Sequence, residues 1–148
     1  MNTRSDFSVD IFSRGFNCAQ AVLLSHSVDY GLDTEIAKKT AGAFGGGIAS
    51  NGEVCGAVTG ALMLIGLKYG QCIEGDIDSK NKTREMANKY IKKFKKEFGS
   101  ILCKDLLKYD LSIEEEARKA KELGLFKTLC PVFVKESVEL VEEVLNSD

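Results

Sequence analysis

The chain has 148 residues, 44% of them hydrophobic and 28% charged, with five cysteines, one histidine, one proline and a formal net charge of −2. This is the make-up of a soluble globular chain long enough to bury a core without disulfide staples, read as one domain over residues 1–148. The balanced charge gives no general field for nucleic acid or an anionic membrane. Val54 to Leu67 is apolar but too short to cross a bilayer, and Met1 to Asp6 lacks the basic-then-apolar leader pattern, so the expected setting is cytoplasmic and not membrane-embedded.

A single proline, no alternating β-branched runs and long stretches of 3.6-residue period predict an all-α helical bundle of about six to eight helices. Asp6 to Arg14 reads as a short opening helix stopped at Gly15. Asn17 caps a second from Cys18 to about Tyr30, closed by Gly31. Asp33 or Thr34 caps a third through Phe44. A glycine-rich turn, Gly45 to Gly52, then leads into the central helix, Cys55 to Tyr69. Its small residues Gly56, Ala57, Gly60 and Ala61 let another backbone approach closely. Gly70 to Asp78 is a connection carrying Cys72. A long helix follows to Phe98, with Ala87, Tyr90, Ile91, Phe94 and Phe98 as its core stripe and lysines opposite. Ser100 can cap a short helix holding Cys103, Leu106 and Leu107. Ser112 to Leu123 is a charged, exposed helix. Cys130-Pro131 opens the last, with Val134, Val138, Val141 and Leu145 at helical spacing.

Four cysteines thus share a placement. Cys18, Cys55, Cys103 and Cys130 each fall at or inside the first turn of a helix, where unpaired amides and the helix dipole favour thiolate over thiol. Four such thiols can hold a metal or cluster, or act as reactive groups. The plain alternative, four small buried hydrophobes, suits any one of them better than the set. No Cys-x-x-Cys pair exists, which excludes a thioredoxin motif, a zinc ribbon and a c-type haem attachment site.

Phe16-Asn-Cys-Ala-Gln-Ala21, the element Cys55-Gly-Ala-Val-Thr-Gly60, Cys103, Cys130 and the Gly45-Gly-Gly run together resemble a family labelled by its motif C-GCAxxG-C-C. The label writes glycine before the cysteine, where this chain reads Cys55-Gly56-Ala57. The resemblance spans the chain from about Phe12 to the last helix. It implies a small helical protein, often encoded near transporters, in which Cys18, Cys55, Cys103 and Cys130 are the redox-active residues. It also implies a relation to the cluster-bearing part of split-Soret cytochromes, and with it a [2Fe–2S] centre on those four cysteines. Haem does not carry over, because its attachment motifs are absent.

The expected function is therefore electron transfer or thiol redox chemistry, as a carrier or an oxidoreductase, through a cluster or a dithiol–disulfide centre. The alternative from another class is a non-redox binding module with a structural zinc held by the four cysteines. A redox partner protein, acidic if it uses the lysines from Lys89 to Lys96, and a second copy of the chain are the candidate partners. His26 shares a face with Ala19, Val22, Leu23 and Tyr30 and reads as a packed, hydrogen-bonded histidine. The glycine run lacks the lysine and preceding strand of a phosphate-binding loop and reads as a tight turn. Cys72 stands outside the four-cysteine frame.

Overall fold

A computed structural model describes residues 3–147; Met1, Asn2 and Asp148, included in the expected single domain, lie outside the described residues. The chain is all-α. Its helices are α1 (Arg4–Ser13), α2 (Cys18–Leu24), α3 (Thr34–Thr40), α4 (Gly56–Tyr69), α5 (Ile77–Phe98), α6 (Cys103–Leu107), α7 (Glu114–Glu122), α8 (Leu125–Thr128) and α9 (Cys130–Leu145), with a 3-10 turn at Ser27–Tyr30.

The central helix is α4, packed against α2, α5 and α9. Its glycines explain why. A Cβ on Gly60 would stand 2.7 Å from the Ala19 carbonyl oxygen, and one on Gly56 would stand 2.9 Å from the Ala19 nitrogen. The backbones of α2 and α4 are therefore in contact, which only hydrogen at those two positions permits. Val58, Leu64 and Ile65 of α4 are fully buried beside this seam. Each such side chain contributes about 1.5–3 kcal/mol by leaving water.

The caps follow the sequence. The Asn17 and Gln20 side chains each accept the other's backbone N–H at 2.8 Å, a reciprocal box that starts α2 at Cys18. Asp76 accepts the Ser79 amide at 3.1 Å to start α5, and Gly99, at φ 83°, ends it. The inner face of α5 presents Met86, Tyr90 and Phe94. The rings of Tyr90, Phe94, Phe98 and Phe133 follow one another at 6.1, 4.8 and 5.1 Å between centroids, joining α5 to α9. Offset and edge contacts of this kind add to the burial of the rings.

Several expectations need correction. The second helix stops at Leu24 rather than Tyr30, because the Ser25 hydroxyl takes the Val22 carbonyl and the chain tightens into the 3-10 turn. His26 is buried, but ahead of that turn rather than on an α-helical face. The third helix ends at Thr40, not Phe44. Cys55 caps α4 instead of lying inside it. Ser100 does not cap α6: its hydroxyl accepts the Leu102 amide at 3.0 Å, and Leu102 is the cap residue. The short α8 has no counterpart among the expected elements. Its start needs Gly124 in the left-handed region, at φ 71°, a conformation that sequence periodicity does not reveal.

Candidate functional site

Four segments deliver the motif cysteines to one place. Cys18 begins α2, Cys55 caps α4, Cys103 begins α6 and Cys130 begins α9. All four are buried, carry free thiols and line a single cavity of about 400 Å³. The fifth, Cys72, is exposed and elsewhere.

The Cys18 thiol stands beside Cys130, with Cys55 and Cys103 also near enough to act on it. Cys55 and Cys103 are set in register by an isolated antiparallel bridge between Val54 and Leu102. The Cys55 amide donates to the Ile101 carbonyl at 2.8 Å, and the Cys103 amide donates to the Glu53 carbonyl at 2.7 Å. Extended segments alternate their side chains, so both cysteines lie on the face opposite Val54 and Leu102.

Glycines make the room. A Cβ on Gly56 would come within 3.1 Å of the Cys18 Cβ, and one on Gly45 within 2.6 Å of the Asn17 Cβ. Gly47 meets the Cys103 Cβ at 2.7 Å in the same sense. The expected tight turn is present, but its closest approaches are to Asn17 and Cys103. Its conformation is unusual. Gly46, Gly47, Ile48, Ala49 and Ser50 have φ of 65, 73, 65, 52 and 61°, a continuous left-handed stretch. A left-handed residue with a Cβ costs about 1–2 kcal/mol, so the three non-glycine residues cost roughly 3–6 kcal/mol before compensation. Hydrogen bonds from Ala49 to Ala43 at 2.7 Å, Gly52 to Gly46 at 3.1 Å and Glu53 to Gly47 at 2.9 Å hold it.

The electrostatics depart from the expected four thiolates. The neighbouring Cys130 and burial raise the Cys18 pKa well above the ordinary thiol range. Burial pushes Cys55 up to about 11, although the Ala57 and Val58 amides at the start of α4 oppose it. Burial, with Cys55 and Cys130 close by, pushes Cys103 up to about 12. Only Cys130 is lowered, because of the Cys18 thiol beside it. Desolvation leads at Cys55 and Cys103, and the Cys130 interaction leads at Cys18, so three of the four thiols are raised despite the helix starts. Among the described residues, no charged side chain lines the cavity to offset it.

The remaining walls are apolar: Phe12, Leu106, Leu107, Leu111, Phe126 and Phe133. The sequence reading places Leu106 and Leu107 in the helix that holds Cys103 without indicating a site, and it does not single out Phe133. Phe126 carries no signal either, since it belongs to the unexpected α8. His26 lies apart from this cavity, with Nδ1 2.7 Å from the Ser25 hydroxyl and Nε2 3.4 Å from the Glu142 carboxylate.

Among the described residues, no helix is long and apolar enough to cross a membrane. No curated protein and no solved structure matches the chain. The family model described as "Putative redox-active protein (C_GCAxxG_C_C)" matches residues 16–144, which takes in all four cavity cysteines, and the chain belongs to that family.

Proposed function

We propose that the chain is an electron-transfer protein whose redox centre is a [2Fe–2S] cluster held by Cys18, Cys55, Cys103 and Cys130. The observation that carries this reading is the gathering of four buried free thiols on one cavity without a charged side chain among its described lining residues. Four thiolates are the usual complement of such a cluster. Among the described residues, no three His, Cys, Asp or Glu side chains are grouped so as to hold a metal ion. A structural zinc would draw all four sulfurs to about 2.3 Å from one point, whereas a binuclear centre takes two thiolates on each iron.

Bound there, the cluster supplies one-electron transfer. The protein's own part is to fix the ligands and their surroundings. The bridge through Val54 and Leu102 holds Cys55 relative to Cys103, and the Gly56 contact holds Cys18 against the start of α4. The apolar walls limit water around the thiols, a recognised influence on potential. A reducing compartment such as the cytoplasm suits free thiols, and the lysine face of α5 suits an acidic partner.

The contact between Cys18 and Cys130, with opposite displacements of their pKa values, favours a second reading as a dithiol. The Cys130 thiolate attacks one sulfur of a partner's disulfide, and the Cys18 thiol then displaces the partner. One disulfide forms and one is reduced, so two electrons and the Cys18 proton leave the pair, and the partner's second thiolate takes its proton from solvent.

Anaerobic purification with iron, acid-labile sulfide and visible-spectrum analysis tests the proposal. The expected result is about two irons and two sulfides per chain with absorbance that bleaches on reduction. Colourless, metal-free protein that gains two thiols on reduction replaces the cluster with the dithiol. Stoichiometric zinc overturns both.

A further inference from the structure

The cavity is larger and differently lined than four thiols require. Its volume of about 400 Å³ lies within the roughly 300–1,000 Å³ of small-molecule sites. A four-atom cluster core beside the cysteines leaves the side walled by Phe12, Leu106, Leu107, Leu111, Phe126 and Phe133 unfilled. That side comes from α1, α6, α8, α9 and the segment after α6, so α6 and α9 each supply a thiol at the helix start and part of this wall beyond it.

Its polar groups are one-sided. The left-handed turn spends its carbonyls internally: Ala43 accepts from Ala49 at 2.7 Å, Phe44 from Ile48 at 3.5 Å and Gly45 from Ser50 at 3.0 Å. Gly46 accepts from Gly52 at 3.1 Å and Gly47 from Glu53 at 2.9 Å. The Gly42 carbonyl takes the Asn17 side-chain amide at 3.2 Å. By contrast, the amides of Gly45, Gly46 and Gly47 find no acceptor among the described residues, and all three residues line the cavity. The Ser50 hydroxyl, also on the lining, is likewise unpaired among the described residues. The turn therefore accepts the cost of left-handed backbone and leaves donors over, beside aromatic and aliphatic walls.

We propose that the apolar half of this cavity binds a neutral ring with carbonyl acceptors, of the quinone class. The unpaired amides of Gly45, Gly46 and Gly47 can only donate, so they favour a ligand with acceptors, and the turn's carbonyls are already engaged within it. The phenylalanine and leucine walls call for a flat apolar body. The lack of any lysine, arginine or histidine on the described lining disfavours nucleotides, phosphates and carboxylates, whose charge would be buried without a partner. A quinone as redox partner of the neighbouring centre rests on the proposed function; binding of the ring does not.

The test uses duroquinone, whose fully substituted ring cannot add thiols, and equilibrium dialysis against the full-length protein. Saturable binding is expected. A ring-sulfonated quinone should bind at least tenfold more weakly, and Phe126→Ala should weaken duroquinone at least fivefold. Phe126→Leu, which keeps more of the packing, should fall between. Backbone amide resonances of Gly45, Gly46 and Gly47 should shift on titration. Cys55→Ser, which removes the redox centre, should still bind the quinone. That last arm separates the two proposals: binding that survives in Cys55→Ser does not depend on the redox centre, and wild-type protein that binds the quinone but is purified anaerobically colourless and metal-free leaves this inference standing while it sinks the cluster. Absence of binding to folded protein overturns the inference. So does equal affinity for the sulfonated ring, indifference to both Phe126 substitutions, unmoved glycine amides, or loss of binding in Cys55→Ser.

Discussion

Gly47 lies so close to Cys103 that a Cβ on the glycine would stand 2.7 Å from the Cβ of the cysteine. The same Cβ would meet the Glu53 nitrogen at 2.6 Å, and φ at Gly47 is 73°. Strain and overpacking therefore act together, and the neighbour that would have to yield is a backbone atom. Gly47→Ala should destabilise the fold by about 2–5 kcal/mol, combining a left-handed penalty of about 1–2 with an overpacking cost of about 1–3. Urea midpoints measure the loss. Cys103 should also become faster to alkylate in the folded state, because Glu53 supplies the carbonyl that fixes its amide. An unchanged midpoint with unchanged alkylation would show that the turn does not press on Cys103.

A buried relay ties the helices that carry Cys55 and Cys130. Ser137, two turns along α9 from Cys130, donates its hydroxyl to the Ala57 carbonyl at 2.6 Å and meets the Tyr90 hydroxyl at 2.6 Å. Ala57 is two residues beyond Cys55. Removing the serine hydroxyl leaves the Tyr90 hydroxyl and the Ala57 carbonyl without their partner inside the core. Ser137→Ala should therefore cost about 1–3 kcal/mol, the penalty for unsatisfied buried polar groups. Replacing both residues, Ser137→Ala with Tyr90→Phe, should cost less than the sum of the two single changes. Strict additivity in urea denaturation would count against a shared network.

The bundle was legible because its signals are local. Asn17, Asp33 and Gly99 cap or stop helices through their own side chains or lack of one, and the small face of α4 is written at Gly56 and Gly60. The four-cysteine set was legible for the same reason, each thiol standing beside a recognisable helix start. The missing parts depend on tertiary geometry. No property of Ile48, Ala49 or Ser50 signals left-handed backbone, since all three are ordinary L-residues held there by bonds to residues 43–47. Phe126 joins the cavity only because Gly124 starts a turn that the charge pattern of α7 conceals. The thiolate expectation failed on magnitude. Helix starts favour charge, but burial without a cation opposes it more strongly at Cys55 and Cys103, and at Cys18 the neighbouring Cys130 opposes it ahead of burial.

His26 makes stability sensitive to mild acid. Burial, followed by the charge of Arg4, lowers its pKa below the ordinary 6.5, while Glu142 and Asp29 pull it partly back. With the folded value below the unfolded one, the unfolded chain binds the proton first as pH falls through about 6.5. Stability is therefore highest above that pH and declines towards the folded pKa, below which this contribution is flat. The slope can reach at most about 1.4 kcal/mol per pH unit for one proton. Asp6, Asp76 and Asp110, all lowered by hydrogen bonds, act only at more acid pH. In urea unfolding between about pH 5 and 7.5, wild type should lose stability on acidification and His26→Gln should lose less. Parallel profiles would assign the slope to other groups.

Cys72 provides the control for the site. It is exposed, lies in the connection after α4 and does not touch the cavity that the other four cysteines share. Exposure makes it the first thiol expected to react with a bulky reagent in the folded protein, whereas the four cavity thiols are shielded. Cys72→Ser should leave metal content, visible spectrum and redox potential unchanged and should remove the fast phase of thiol modification. Cys55→Ser should abolish the spectrum and redox response, since a serine hydroxyl has too high a pKa to replace a thiolate ligand or nucleophile. It should leave the fast phase intact. The two substitutions thus move opposite readouts. Equal loss of spectrum from both would place Cys72 in the redox centre and overturn the assignment of that centre to the four cavity cysteines.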